Sequence, residues 1–132
     1  MIRASAHRSL TLAALVLLAA CDDSGSDSQA RTAAAALTDY YYRAWQAPSP
    51  EWSVTKVRIG KDNAVTVDAA VTNETMSKTI MERSRFEQME IARKACPAVT
   101  DKVWQQVGKK QQIGVALSGS AGHIINALCK RP

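Results

Sequence analysis

The sequence predicts an α+β domain, in which a small antiparallel sheet of two β-hairpins carries a long amphipathic helix and shorter helices. Three patterns favour this fold class. Apolar and polar residues alternate through 52–59 and 64–72 around a short turn, which is typical of a hairpin with one packed face. A second alternating pair ends the chain at 112–117 and 123–129. Between the two pairs, residues 74–95 carry apolar side chains at helical spacing.

The chain before the first hairpin predicts a tether and then a helix. Residues 22–29 contain serines and aspartates but no large apolar side chain, so we expect a flexible segment. Residues 30–46 are rich in alanine and place Leu37, Tyr41 and Trp45 on one apolar stripe. The prolines that follow cannot continue a helix, so it is expected to end there.

Three consecutive tyrosines, residues 40–42, are the most aromatic stretch of the chain. A sugar- or peptide-stacking platform is one interpretation. Consecutive side chains on a helix point in different directions, however, which favours packing of Tyr41 and Trp45 in the core with the other two rings at its edge.

The two faces of the first hairpin follow from the alternation of its strands. On the second strand Val65, Val67, Ala69 and Val71 are expected to share the packed face. On the first strand the same rule groups Ser53, Thr55, Val57 and Ile59.

The long periodic segment is interpreted as one helix over 74–95, with its charged residues on the solvent side. An alternative makes 76–82 a strand and starts the helix at Ser84, where Ser84-Arg85-Phe86-Glu87 fits a capping box. Pro97 follows the helix, and Thr100 or Asp101 can cap a short helix that ends before Gly108.

The N-terminus has the three parts of a secretory signal peptide. Arg3 and Arg8 supply positive charge, residues 10–20 are apolar apart from Thr11, and small residues precede Cys21. The apolar run is shorter than the roughly 20 residues that a membrane-spanning helix needs.

The end of this segment resembles the lipobox of bacterial lipoproteins. Residues 18–20, which are Leu-Ala-Ala, fill the three positions before the cysteine, Cys21. The resemblance covers residues 1–21 only. It implies that residues 1–20 are removed as a signal peptide and that Cys21 receives a diacylglyceryl group, with a further acyl chain such as palmitate on its amino group. Two or more chains hold a protein on a bilayer durably, here facing the periplasm.

Asp22 directly follows the proposed lipid site. In enterobacterial lipoproteins an aspartate at this place resembles an inner-membrane retention signal. The resemblance therefore slightly favours the inner membrane and leaves the outer membrane open.

Cleavage before Cys21 divides the chain into a signal peptide, a tether over 21–29 and one domain over 30–132. It also leaves Cys96 and Cys129 as an even pair in an oxidising compartment, which predicts a disulfide. A loop of that length is expected to contribute about 3–4 kcal/mol to stability in the chain-entropy description.

The distribution of charge along the chain indicates which classes of partner are expected. The precursor carries a formal charge of +5, and loss of residues 1–20 with their two arginines leaves 112 residues at +3. Nucleic-acid binders concentrate basic residues in a stripe with interleaved aromatic residues, whereas the basic residues here are dispersed. We therefore expect no nucleic-acid partner, and binding to the membrane through Cys21 instead.

No catalytic motif can be identified. His123 is the one histidine after the signal peptide, and the neighbouring Ser118 and Ser120 form no G-x-S-x-G elbow. The spacing of Cys96, His123 and Cys129 matches no zinc motif, so we expect neither a metal nor a cofactor.

These observations favour a lipid-anchored envelope protein with a non-enzymatic role in protein interaction or accessory structure. The alternative is a periplasmic domain that binds a small ligand or a peptide in a pocket between helices and sheet. An enclosed pocket with buried polar groups would favour the alternative, and an exposed apolar surface would favour the first hypothesis.

Overall fold

The structure, a computed structural model that describes residues 23–132, has the predicted α+β architecture. The α-helices of this part are α1 (Asp23–Arg43), α2 (Glu74–Met81) and α3 (Arg85–Ala92). Two 3₁₀ helices span Arg93–Ala95 and Lys102–Gln106. The strands are β1 (Trp52–Ile59), β2 (Val65–Val71), β3 (Ile113–Gly119) and β4 (Gly122–Leu128).

The four strands form one sheet in the order β1-β2-β3-β4. Both predicted hairpins are present as antiparallel pairs, but β2 and β3 are parallel, so the expectation of a purely antiparallel sheet is wrong at its centre. The helical connection between β2 and β3 explains the difference. It returns the chain to the end of the sheet where β2 began, and Ile113 therefore pairs with Val65.

Helix α1 replaces most of the predicted tether. It begins at Asp23, whereas the composition predicted flexible chain up to Gln29. Acidic residues in the first turns favour a helix N-terminus, and Asp27 pairs with Arg31 one turn later, at 2.9 Å. Ala30, the first residue after the predicted tether, is fully buried in the core cluster, so packing stabilises the helix directly beyond this segment.

Strand β1 contains a β-bulge that the alternation did not predict. The register with β2 shifts between Val54 and Lys56, so Thr55 is an extra residue. Trp52 and Val54 pair with residues on the packed face of β2, and after the bulge Val57 does so too. The predicted grouping of alternate β1 residues is therefore wrong on the N-terminal side of Thr55.

The preferred single helix over 74–95 is also wrong, since the chain breaks between α2 and α3. The alternative capping box is confirmed: the Ser84 hydroxyl accepts from the Glu87 amide, and Glu87 Oε2 accepts from the Ser84 amide at 3.0 Å. Residues 76–81 are helical and Glu82 is the C-cap of α2, so the strand that this alternative placed at 76–82 is absent. Gln88 donates to carbonyls at the end of α2, which holds the two helices at the break.

The short helix predicted after Pro97 is present as the second 3₁₀ helix. Asp101 caps it by accepting from the Val103 amide at 2.8 Å. Near the end of the chain, Arg131 lies 5.5 Å from the ring centroid of Trp104 and donates to the Gly108 carbonyl at 2.6 Å. The C-terminal residues are thereby fixed against this helix.

The core lies between one face of the sheet and the helices. It contains the predicted apolar face of β2 together with side chains from each of the other layers. These include Ala33 and Leu37 from α1, Ile80 from α2, Ala92 from α3, and Val115, Leu117 and Ile125 from β3 and β4. Ala116 is buried but makes no contact with this cluster, as expected for a side chain on the opposite, open face.

The predicted disulfide is present between Cys96 and Cys129, whose Cα atoms are 5.6 Å apart. It joins the segment after α3 to the residue that follows β4. In the described residues, no helix has the length and apolar character required to cross a membrane.

Candidate functional site

A cleft of about 670 Å³ opens beside the disulfide, between the C-terminal end of α1 and the chain that follows α3. Tyr40 and Trp45 line it from the first side, and Lys94 and residues 96–99 line it from the second. Lys130, next to the disulfide, also lines it. We call this feature the disulfide cleft.

The aromatic side of the cleft lies at the C-terminal end of α1, where Trp45 follows the last helical residue, Arg43, and its amide donates to the Tyr40 carbonyl at 2.9 Å. Tyr41 and Trp45 are four residues apart, and their rings meet edge to face with centroids 5.5 Å apart. Tyr40 meets Tyr41 in the same manner at 4.9 Å. The Tyr41 hydroxyl donates to the Ala95 carbonyl at 2.5 Å, so the end of α1 is fixed to the first 3₁₀ helix.

Both phenols at this site hold their protons at neutral pH. Burial raises the pKa of Tyr40 above its ordinary value, the Asp101 carboxylate raises it further, and a hydrogen bond with the Ala98 backbone lowers it in part. Burial and then the neighbouring Tyr40 raise the pKa of Tyr41. The aromatic side therefore presents the uncharged Tyr40 phenol and the Trp45 ring to an occupant.

The two acidic side chains of the cleft already have partners. Glu90 forms an ion pair with Arg93 and has Lys130 Nζ at 3.8 Å. Asp101 is occupied in capping the second 3₁₀ helix. The carboxylates at this site are therefore engaged in holding the structure together.

The cationic side chains of the cleft differ in the number of ion pairs and hydrogen bonds that they make. Arg93 is held twice, by Glu90 and by the Leu128 carbonyl, which accepts from Arg93 Nε at 2.9 Å. Lys130 is largely exposed although it is near Glu90. Lys94 is exposed and forms no ion pair within residues 23–132. The cleft thus has an excess of accessible positive charge.

An apolar shelf completes the cleft on the side of the disulfide. Pro97 is buried, whereas Val99 exposes 51% of its surface. The disulfide holds Cys96 beside the end of β4, and this places Lys130 next to the same segment. The cleft can therefore offer an apolar contact and a charged contact to one occupant.

The other sequence-predicted residues lie elsewhere. His123 is exposed, and its Nε2 atom is 2.9 Å from the Asn126 side-chain oxygen. Within residues 23–132 its hydrogen bonds include none to a serine or a carboxylate. The same residues contain no group of three or more His, Cys, Asp or Glu side chains that could hold a metal ion. Cys21 lies outside the described residues.

A second cavity, of about 730 Å³, lies near the N-terminal end of α1. Its polar groups largely bond one another: the Asn63 side chain donates to Ser26 at 3.0 Å, and Gln111 donates to the Asn63 carbonyl at 2.7 Å. These bonds connect the turn between β1 and β2 to α1 and to the chain before β3. We interpret this cavity as a structural junction.

A separate exposed surface lies at the break between α2 and α3. Met81 exposes 49% of its surface and Phe86 exposes 67%. Single exposed apolar side chains are common on proteins, and two of them form only a small patch. The disulfide cleft combines more kinds of chemistry and is therefore the stronger candidate.

Sequence reasoning identified only part of this cleft. The disulfide and the inward position of Tyr41 were predicted, but Tyr40, Lys94 and Val99 were not grouped with them. These residues belong to separate segments that only the tertiary fold brings together. The pairing of Cys96 with Cys129 was the one signal, and it places the segment of Lys94 and Val99 near the end of the chain without locating Tyr40.

Comparison of the chain with family models, with curated proteins and with solved structures finds no match. The indications of function are therefore the chemistry of the cleft and the N-terminal sequence.

Proposed function

We propose that this protein is a lipid-anchored bacterial envelope protein with a non-enzymatic role, and that it binds another envelope protein through the disulfide cleft. The lipobox-like residues before Cys21 support the anchor. The observation that carries the binding role is the combination, in one open cleft, of neutral aromatic rings, an exposed valine and accessible lysines. Aromatic side chains are enriched at protein interfaces, and polar side chains are usual at their rims.

Several polar groups near the cleft are already bonded within the protein, which favours a protein partner over a small ligand. Small-ligand pockets enclose most of their ligand and aim a few polar groups at it. Here Glu90, Asp101 and the Tyr41 hydroxyl are used in bonds within the protein. The occupant would then be recognised by surface contacts around Val99 and Lys94.

A periplasmic domain that binds a small ligand or a peptide remains the second candidate. The volume of the cleft, about 670 Å³, lies within the range of roughly 300–1,000 Å³ that is typical of ligand pockets. Native mass spectrometry of the protein after exposure to a periplasmic extract tests this candidate. A discrete added mass that is lost in a Tyr40→Ala variant would support it.

Site-specific photo-crosslinking in living cells tests the leading proposal. A photoreactive phenylalanine analogue is placed at Val99, inside the cleft, or at Tyr42, which exposes 88% of its surface and does not line it. We expect a protein adduct of defined mass from position 99 and none of that mass from position 42. Equal adducts from both positions, or none from position 99, would refute the binding role.

The anchor has its own controls in the same cells. A Cys21→Ser variant that carries the analogue at position 99 should leave the membrane fraction. If the adduct persists in the soluble fraction, the cleft binds its partner without the lipid. If it disappears, capture of the partner requires the anchor.

A further inference from the structure

The lining of the disulfide cleft carries a small net positive charge. Arg93 and Glu90 neutralise each other, and Arg93 is further held by a backbone carbonyl. Asp101 accepts from the Val103 amide in the cap of the second 3₁₀ helix and keeps its negative charge. The three basic and two acidic side chains that line the cleft therefore leave a net charge of +1. Lys94 and the largely exposed Lys130 are then the charges that an occupant would meet.

The rest of the cleft is uncharged and in part apolar. Tyr40 and Trp45 present ring surfaces that are partly buried and packed on the core, and Val99 supplies an exposed aliphatic side chain. Such surfaces favour apolar or aromatic side chains of an occupant. Two lysines next to such a shelf complement carboxylates that alternate with apolar groups.

From this complementarity we infer that the partner enters the disulfide cleft with a short acidic segment that also carries apolar side chains. Its carboxylates would lie at Lys94 and Lys130, and an apolar side chain would pack on Trp45 and Val99. This inference rests on the proposed binding role and adds the chemistry of the partner to it.

Selection of peptides from a random display library tests the inference. The target is the lipidated protein in nanodiscs of zwitterionic lipid, so that the bilayer itself has no net charge to attract peptides. We expect the selected peptides to be enriched in Asp and Glu over the input library. We also expect apolar residues to recur beside the acidic ones.

Charge reversal at the cleft supplies the matched comparison. The most enriched peptide should bind the double variant Lys94→Glu and Lys130→Glu at least about tenfold more weakly than the original protein, since two attractive contacts become repulsive. The control is Lys56→Glu with Lys78→Glu, which reverses two exposed lysines outside the cleft and should leave the affinity unchanged. Lys94→Glu alone keeps the Glu90–Lys130 contact and should weaken binding in the same direction.

The results separate this inference from the proposed function. Failure to select peptides, peptides without acidic enrichment, or equal binding to the reversed and original proteins would each overturn the acidic segment. If position 99 still yields an adduct in cells, the proposed binding role stands without the acidic segment. If no adduct forms in cells but the selected acidic peptides bind only when Lys94 is present, the inferred chemistry of the cleft would stand. Its proposed role in the cell would be refuted.

Discussion

The hydroxyl oxygen of Ser77 occupies the space that a β-carbon on Gly119 would fill, since the two would be only 1.9 Å apart. Ser77 is fully buried in α2, and its hydroxyl accepts from the Ser120 amide at 3.1 Å. This contact fixes α2 to the turn between β3 and β4. Position 119 therefore requires the absence of a side chain, although the glycine has no unusual backbone angle.

We expect Gly119→Ala to destabilise the protein by about 1–3 kcal/mol, the usual effect of adding a methyl group to a packed site. Urea denaturation measures the change. The control is Gly25→Ala in α1, where a β-carbon meets no atom within 4 Å and alanine is the better helix former. A Gly119→Ala variant as stable as the original would refute the tight contact with Ser77.

The disulfide should contribute strongly to stability. Replacing both Cys96 and Cys129 with serine is expected to cost about 3–4 kcal/mol, because the bond closes a loop in the unfolded chain. Thermal and urea denaturation measure this cost. Non-reducing peptide mass spectrometry of the original protein should show the linked peptide, whereas free thiols at both positions would contradict the pairing.

The Tyr41 hydroxyl should contribute more to the free energy of unfolding than the Tyr42 hydroxyl. Tyr41→Phe leaves the Ala95 carbonyl without its donor and is expected to cost about 1 kcal/mol. Tyr42→Phe removes a hydroxyl from an exposed ring and should have no measurable effect. Equal unfolding free energies for the two variants would show that the bond to Ala95 adds nothing to stability.

The capping box of α3 predicts a pH dependence. Hydrogen bonds from the backbone and side chain of Ser84 lower the pKa of Glu87 below its ordinary value of 4.5, with a smaller effect from Arg83. A carboxyl group with a lowered pKa in the folded state stabilises the fold above its ordinary pKa, and this contribution is lost as the pH falls through the lowered value. Glu87→Gln should therefore lower the melting temperature at pH 7.

The same variant should lose its effect in acid. Below the lowered pKa, Glu87 is protonated in both the folded and unfolded states, and the melting temperatures of the two proteins should converge. Melting curves between pH 7 and pH 2 measure this. A difference that stays constant over the whole range would mean that the ionised carboxylate does not stabilise the cap.

The proposed anchor predicts covalent labelling. Cells given labelled palmitate should incorporate it into the original protein but not into a Cys21→Ser variant, since the thiol is the attachment atom. The protein should also be recovered with membranes. An unlabelled, uncleaved protein in the cytosol would remove the anchor, the compartment and the proposed role together.

Local patterns predicted the strands better than their arrangement. Strand β1 has the predicted bounds and β2 differs by one residue at each end, because alternation directly reflects one buried face. The bulge at Thr55 and the parallel pairing of β2 with β3 depend on contacts between distant segments. Neither leaves a clear signal in the alternation of a single strand.

The helices show how two local rules can compete. Apolar spacing through 74–95 favoured one helix, yet the capping box at Ser84 ends that continuity. In the first helix, the polar composition of residues 23–29 suggested flexible chain, whereas burial of Ala30 and Ala33 stabilises the helix that includes them. The cleft could not be predicted, because Tyr40, Lys94 and Val99 meet only after these helices are placed.

For the proposed anchor at Cys21, the early start of α1 sets an upper limit on the distance between the bilayer and the disulfide cleft. In the sequence only Asp22 separates Cys21 from Asp23, the first described residue of α1, and two residue steps cannot span more than about 7 Å. Tyr40 lies 17 residues further, or about 25 Å along the helix axis at 1.5 Å per residue. With Cys21 in the bilayer, as proposed, the disulfide cleft lies within roughly 30 Å of the membrane. A partner whose acidic segment stays further from the membrane could not be bound.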